Sequence, residues 1–152
     1  MIISPHISLA EYRCSHCGWI PDALAQAVSP LGFPIYYTDF FADFEAIRDR
    51  VGGPIPISSG CRCLRHDVAV QMAGGYTLDT LILGPHVFGL ALDLACADDA
   101  AVDVLAAIVN AVRPELRMGI CKGQNRHVHI DGLHRFPVRL LSQWQPGERW
   151  IE

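Results

Sequence analysis

Apolar residues recur along the chain at two spacings, and each spacing predicts a different kind of element. Phe40, Phe44, Ile47 and Val51 follow one another at i, i+4, i+7 and i+11, the repeat of a helix that buries one face. Thr38 can cap that helix, and Gly52-Gly53-Pro54 ends it. Val102, Leu105, Val109 and Val112 mark a second amphipathic helix, capped by Asp98 and closed by Arg113-Pro114. Leu64 to Ala73 reads as a further helix stopped by Gly74-Gly75, and Pro21-Asp22 can open a short one that Pro30, Gly32 and Pro34 break.

The other spacing is two. His127-Val128-His129-Ile130-Asp131 alternates, so a strand here turns Val128 and Ile130 to a core and three titratable side chains to the opposite face. Leu90 to Leu94 reads as a short buried strand with one anion, Asp93, and Met118 to Cys121 as another. Pro54 to Gly60 is a short strand running into a turn, and Lys122 to Arg126 a polar connector. The last twenty residues, LHRFPVRLLSQWQPGERWIE, have scattered apolar positions and no period. Helices first, then strands mixed with one long helix, predict a single α+β domain over residues 1–152.

Composition narrows the class. A chain of 152 residues, 51% hydrophobic and 18% charged, has the make-up of a compact core that needs no staples. A net charge of −4 gives no reason to expect nucleic acid or an anionic membrane as a partner. No run of about 18 uncharged apolar residues occurs, which argues against a membrane span. The start, MIISPHISLAEYR, lacks a basic stretch followed by an apolar one, so no signal peptide is expected and the chain reads as cytoplasmic as encoded. In that compartment the cysteines at 14, 17, 61, 63, 96 and 121 stay reduced or bind metal more often than they pair.

The candidate chemistry centres on Gly84 to Asp93, GPHVFGLALD. An unpaired buried carboxylate is costly, so Asp93 needs a cation or several backbone donors. Seven residues of straight strand span ~23 Å, so His86 and Asp93 share an ion only in a helix or across a backbone turn. Gly89 is the natural place for that turn. The strand with His127, His129 and Asp131 is either an ordinary polar edge or a second source of ligands. Two histidines and one aspartate leave a tetrahedral zinc one open position for water, the catalytic arrangement. Zinc lowers the pKa of that water to ~7 and polarises a carbonyl, as amide hydrolysis requires.

Four motifs stand in order: Glu11-Tyr12-Arg13-Cys14-Ser15-His16-Cys17-Gly18, Ser59-Gly60-Cys61-Arg62, the segment Gly84 to Asp93, and His127-Val128-His129. Together they resemble the zinc D-alanyl-D-alanine carboxypeptidases and the wider hedgehog/DD-peptidase group, which includes phage endolysin peptidases and vancomycin-resistance dipeptidases. The resemblance implies helices packed on a small antiparallel sheet that carries one zinc ion, held by His86, Asp93 and His129. It implies that Arg62 binds the substrate's terminal carboxylate or scissile carbonyl, and that His127 acts as acid/base, transition-state stabiliser or orienter of a ligand. Asp131 either shares the acid/base role or anchors a ligand. The implied reaction is hydrolysis of peptidoglycan stem peptides, as a carboxypeptidase or an endopeptidase, by a phage lysis or virion enzyme. The competing reading is a non-catalytic zinc-binding structural or virion module of the same fold.

Two departures bear on that choice. Gly84 stands where the family has a serine, and Arg126 stands where some branches carry a general-base carboxylate. Cys14, Cys17, Cys61 and Cys63 are either reduced core and turn cysteines or four thiolates closing a second, structural zinc site. Cys96 and Cys121 are expected as buried small hydrophobes, and Trp144 and Trp150 as packing residues. His6, His16, His66 and His134 read as surface or turn residues, of which His66, near Arg62, is the one that could touch the site.

Overall fold

A computed structural model describes residues 2–22, 35–136 and 145–151. The helix expected after Pro21-Asp22, its breakers and Trp144 lie outside the described residues. Among the described residues, seven strands and four α-helices follow in the order β1 (Ile2–Ser4), β2 (Ile7–Ser8), α1 (Leu9–Tyr12), α2 (Ile35–Val51), β3 (Ile57–Ser59), α3 (Leu64–Ala73), β4 (Ala91–Ala95), α4 (Asp99–Val112), β5 (Arg117–Cys121), β6 (His127–Asp131) and β7 (Arg149–Ile151). The class is α+β, as expected. Strands β3-β4-β6-β5-β7 form one sheet, and β1 pairs with β2 in a separate hairpin.

That sheet corrects the expectation of an antiparallel one. β3, β4, β6 and β5 pair antiparallel, but β7 joins the edge parallel to β5, which makes the sheet mixed. A three-residue strand is too short to show a period, and the long excursion from β6 lets the chain return in either direction.

The core lies where the two spacings meet. Phe40, Phe44 and Ile47 of α2 and Val102, Leu105 and Val109 of α4 pack with Leu92, Leu94, Val128 and Ile130 of the central strands. Asp98 caps α4 by accepting from the Ala101 amide at 2.7 Å. α2 is already helical at Ile35, ahead of Thr38, and Val51 at its end is exposed. α1 is one turn long, held by a Ser8–Glu11 capping box that delivers Tyr12 to the core.

Two tyrosines shape the approach to β4. The Tyr12 hydroxyl donates to the Gly89 carbonyl, and the Tyr37 hydroxyl to that of Phe88 at 2.7 Å. Between them Gly89 takes φ +69°, and its amide donates to the His86 carbonyl at 3.2 Å. The backbone therefore turns between His86 and Asp93, as their sharing of a site requires.

Candidate metal centre

Three elements bring three side chains to one point. His86 comes from the turn before β4, Asp93 from β4 and His129 from β6, where Asp93 and His129 are direct cross-strand partners. His86 Nε2 lies 3.2 Å from Asp93 Oδ1 and 3.3 Å from His129 Nδ1, and the last two atoms are 2.8 Å apart. Ligands at ~2.0–2.1 Å from a tetrahedral zinc stand ~3.3 Å from one another, so the triangle has the size of one face of such a tetrahedron. All three side chains are buried. The residues present fit a metal ion of this kind.

Each donor atom is aimed by a partner on its far side. His86 Nδ1 faces the Gly60 carbonyl at 2.5 Å, which leaves Nε2 as the inward lone pair. His129 Nε2 faces Asp131 Oδ2 at 3.3 Å, which turns Nδ1 inward. Asp131 is itself enclosed, taking the Leu133 amide at 3.1 Å and Arg117 at 3.2 Å. It therefore stands behind His129, away from the triangle. Asp93 uses Oδ2 to accept from Arg62 at 2.6 Å, which reserves Oδ1 for the triangle.

Burial opposes charge on Asp93, but His86 and His129 hold its carboxyl well below the usual range. Burial likewise disfavours a charged His129, yet Asp131 and Asp93 on either side raise it to about 10. The pocket is thus built to hold positive charge.

A cleft of about 1050 Å³ opens over the triangle, lined among others by Arg62, His127, Arg117 and Trp150. His127 is partly buried, with Nδ1 at 2.6 Å from the Asn125 carbonyl and Nε2 at 3.9 Å from Asp93 Oδ1. It sits beside the triangle. Trp150, expected as packing, tilts against His129 at 5.4 Å between ring centroids, with the Arg117 guanidinium 5.2 Å from its own ring centre. Arg126 reaches away, to Asp99 on α4 at 2.8 Å.

Asp67 was not foreseen. Buried on α3, it accepts from the Gly84 amide at 3.3 Å and from Gln71 at 2.8 Å, and lies 3.9 Å from Arg62. A Cβ on Gly84 would stand 3.1 Å from Asp67 Oδ2. The acid thus occupies the space beside Gly84 where a serine side chain would reach. Its sequence signal was a lone carboxylate in an otherwise weakly patterned helix, five residues past Arg62.

The four-cysteine set does not assemble as expected. Cys14, Cys17 and Cys63 offer sulfurs that all lie within 4.8 Å of one another, but Cys61 is buried in the core next to Tyr12. The chain turns here from the end of β3 into α3: Cys61 is buried beside Tyr12, whereas Cys63, already the N-cap of α3, is only partly buried. His66 turns to Cys14, 3.5 Å from its sulfur, and not to the cleft. Burial pushes the Cys14 thiol up, but the Cys63 amide, His66 and the amides of His16 and Cys17 bring it down to about 6. Cys96 and Cys121 are partly exposed at the strand ends, not buried.

A sheet-borne His-Asp-His cluster under an open cleft has the donor set and the access of a metal centre. The family model described as Peptidase M15 matches residues 26–131. The chain belongs to that family, whose members are zinc D-Ala-D-Ala carboxypeptidase-like enzymes. No curated protein matches the chain. Among the described residues no helix is long and apolar enough to cross a membrane.

Proposed function

We propose that this chain hydrolyses a peptide bond in peptidoglycan stem peptides, at a residue of D configuration, with one zinc ion held by His86, Asp93 and His129. The carrying observation is the triangle of donor atoms, 2.8 to 3.3 Å on its edges, with Arg62 and His127 on its open side. When bound, the ion supplies an activated water and a polarised carbonyl.

The chain's own residues do the rest. Arg62, a rigid fork beside Asp93, draws a terminal carboxylate or the scissile carbonyl into the cleft. His127 Nε2 takes a proton and returns it to the leaving amine, its ring held by the Asn125 carbonyl. Asp131 orients His129 and keeps out of the proton transfer, since it is fully enclosed. Trp150 and Arg117 form the wall along which the peptide lies.

The test is turnover of D-Ala-D-Ala-terminated and cross-linked muropeptides with and without chelator. His127→Ala is expected to lower kcat by ~10²–10⁴ with zinc content unchanged, and Arg62→Lys to raise KM. Turnover that survives full chelation sinks the reading. A full zinc complement with no turnover on any wall peptide favours a non-catalytic module, to which the outward-turned Arg126 would be suited.

A further inference from the structure

The thiol cluster lies apart from the cleft over His86, Asp93 and His129 and is built from two pairs. Cys14-x-x-Cys17-Gly18 forms a tight turn, closed by the Gly18 amide on the Cys14 carbonyl at 2.7 Å, with Gly18 at φ +74°. The amides of His16, Cys17 and Cys63 point at the Cys14 sulfur. Cys63 is the N-cap of α3, and His66 stands in that helix's first turn, three residues on and on the same side. One pair is a backbone knuckle and the other a helix start. Their spacing, Cys-x-x-Cys followed by Cys-x-x-His, is that of closed structural zinc sites.

We propose that Cys14, Cys17, Cys63 and His66 bind a second, structural zinc ion. The three sulfurs already converge within 4.8 Å, and His66 Nδ1 meets the group at Cys14, 3.5 Å away. Sulfurs on a tetrahedral zinc at ~2.3 Å stand ~3.8 Å apart, so small rotations of the side chains close the shell. The helix N-terminus at Cys63 and the amides around Cys14 favour thiolate over thiol. Cys61 has no part, because its side chain is buried in the core beside Tyr12 and lies outside the group of three sulfurs. His16 is exposed, with its ring 6.0 Å from that of His66, and is the rival for the fourth place.

The site adds a tie between the segment after α1 and the start of α3. α1 is a single turn, too short to persist by itself, and the segment after it is largely exposed. A metal at Cys63 fixes the backbone on one side of Arg62, while the Cys61 amide fixes it on the other by donating to the Tyr12 carbonyl at 2.6 Å. The second zinc therefore positions the arginine turn against the N-terminal segment. This inference is independent of the peptidase reading.

The decisive preparation is the full chain carrying His86→Ala, which leaves the thiol cluster untouched. Purified with zinc and dialysed, it should retain about one zinc per chain, against about two for the parent. Its zinc X-ray absorption should fit three sulfurs at ~2.3 Å and one nitrogen at ~2.0 Å. Cobalt in its place should show a thiolate-to-metal charge-transfer band, which a His-Asp-His site cannot produce. Cys17→Ser, a change at an exposed residue, should lower the zinc count of the parent by about one and remove that band. His66→Ala should lose the nitrogen neighbour, and His16→Ala should keep it.

Loss of all zinc in His86→Ala, a four-sulfur shell, or a Cys14–Cys17 disulfide in the protein as purified overturns the proposal. So does a nitrogen neighbour that disappears with His16 and not with His66. A parent holding one zinc, unchanged in His86→Ala and lost in Cys17→Ser, would instead sink the catalytic centre and leave this one standing.

Discussion

His129 lies between two carboxylates, 2.8 Å from Asp93 and 3.3 Å from Asp131, and this decides how the site responds to protons. Burial works against its charge, but the two acids win and raise it to about 10. In metal-free protein its protonation stabilises the fold fully below the unfolded-state value of ~6.5, and that contribution is lost as pH rises through about 10. A metal needs the neutral ring, so zinc binding near pH 7 should expel about one proton from His129. Calorimetric titrations in buffers of different ionisation enthalpy measure this directly, and a binding heat that ignores the buffer would refute it. Asp131→Asn removes the anion behind the ring and is expected to weaken zinc binding ~10–100-fold, read by competition with a chelating dye.

At the scale of elements, the turn from β3 to α3 carries the most constraint. A Cβ on Gly60 would sit 2.4 Å from the Tyr12 carbonyl oxygen and 2.8 Å from its Cα, both backbone atoms that cannot swing aside. Gly60→Ala should therefore destabilise by ~1–3 kcal/mol or more, as overpacking does. Gly53→Ala is the control, since nothing lies within 4 Å of a Cβ there. Equal denaturation midpoints for the two variants would mean that α1 moves freely against the turn. The glycine of the Ser59-Gly60-Cys61-Arg62 motif is thus explained by a neighbour 48 positions earlier in the chain, which no reading of local spacing reveals.

Across the whole molecule, the N-terminal hairpin is tied to α2 through one acid. Glu45 accepts from Ser4 Oγ at 2.5 Å and from the His6 amide at 3.0 Å, with the His6 ring at 2.6 Å. Burial would raise its carboxyl, but Ser4 and His6 hold it below its usual 4.5. A depressed acid stabilises the fold above the unfolded value and loses that contribution as pH falls through its folded one. The stability gap between the parent and Glu45→Gln should therefore be full near pH 6 and shrink below about 4.5. A gap that stays constant down to about pH 3 would place the tie elsewhere.

Much of this was legible along the chain, because helices and strands are set by neighbours within about a turn or a pleat. The stripe through Phe40, Phe44 and Ile47, the cap at Asp98 and the alternation from His127 to Asp131 are of that kind, and all three are present as read. The order of the motifs likewise pointed to the peptidase family. Convergence is a different matter, since it depends on register and on the side from which each chain segment arrives. Pairing Asp93 with His129 across β4 and β6 set which nitrogen faces inward and left Asp131 behind the ring. The turn from β3 into α3 left Cys61 in the core and carried Cys63, at the helix start, out to meet Cys14, Cys17 and His66. The residue types were written in the chain; which of them share a point in space was settled by how the sheet paired and the turns packed.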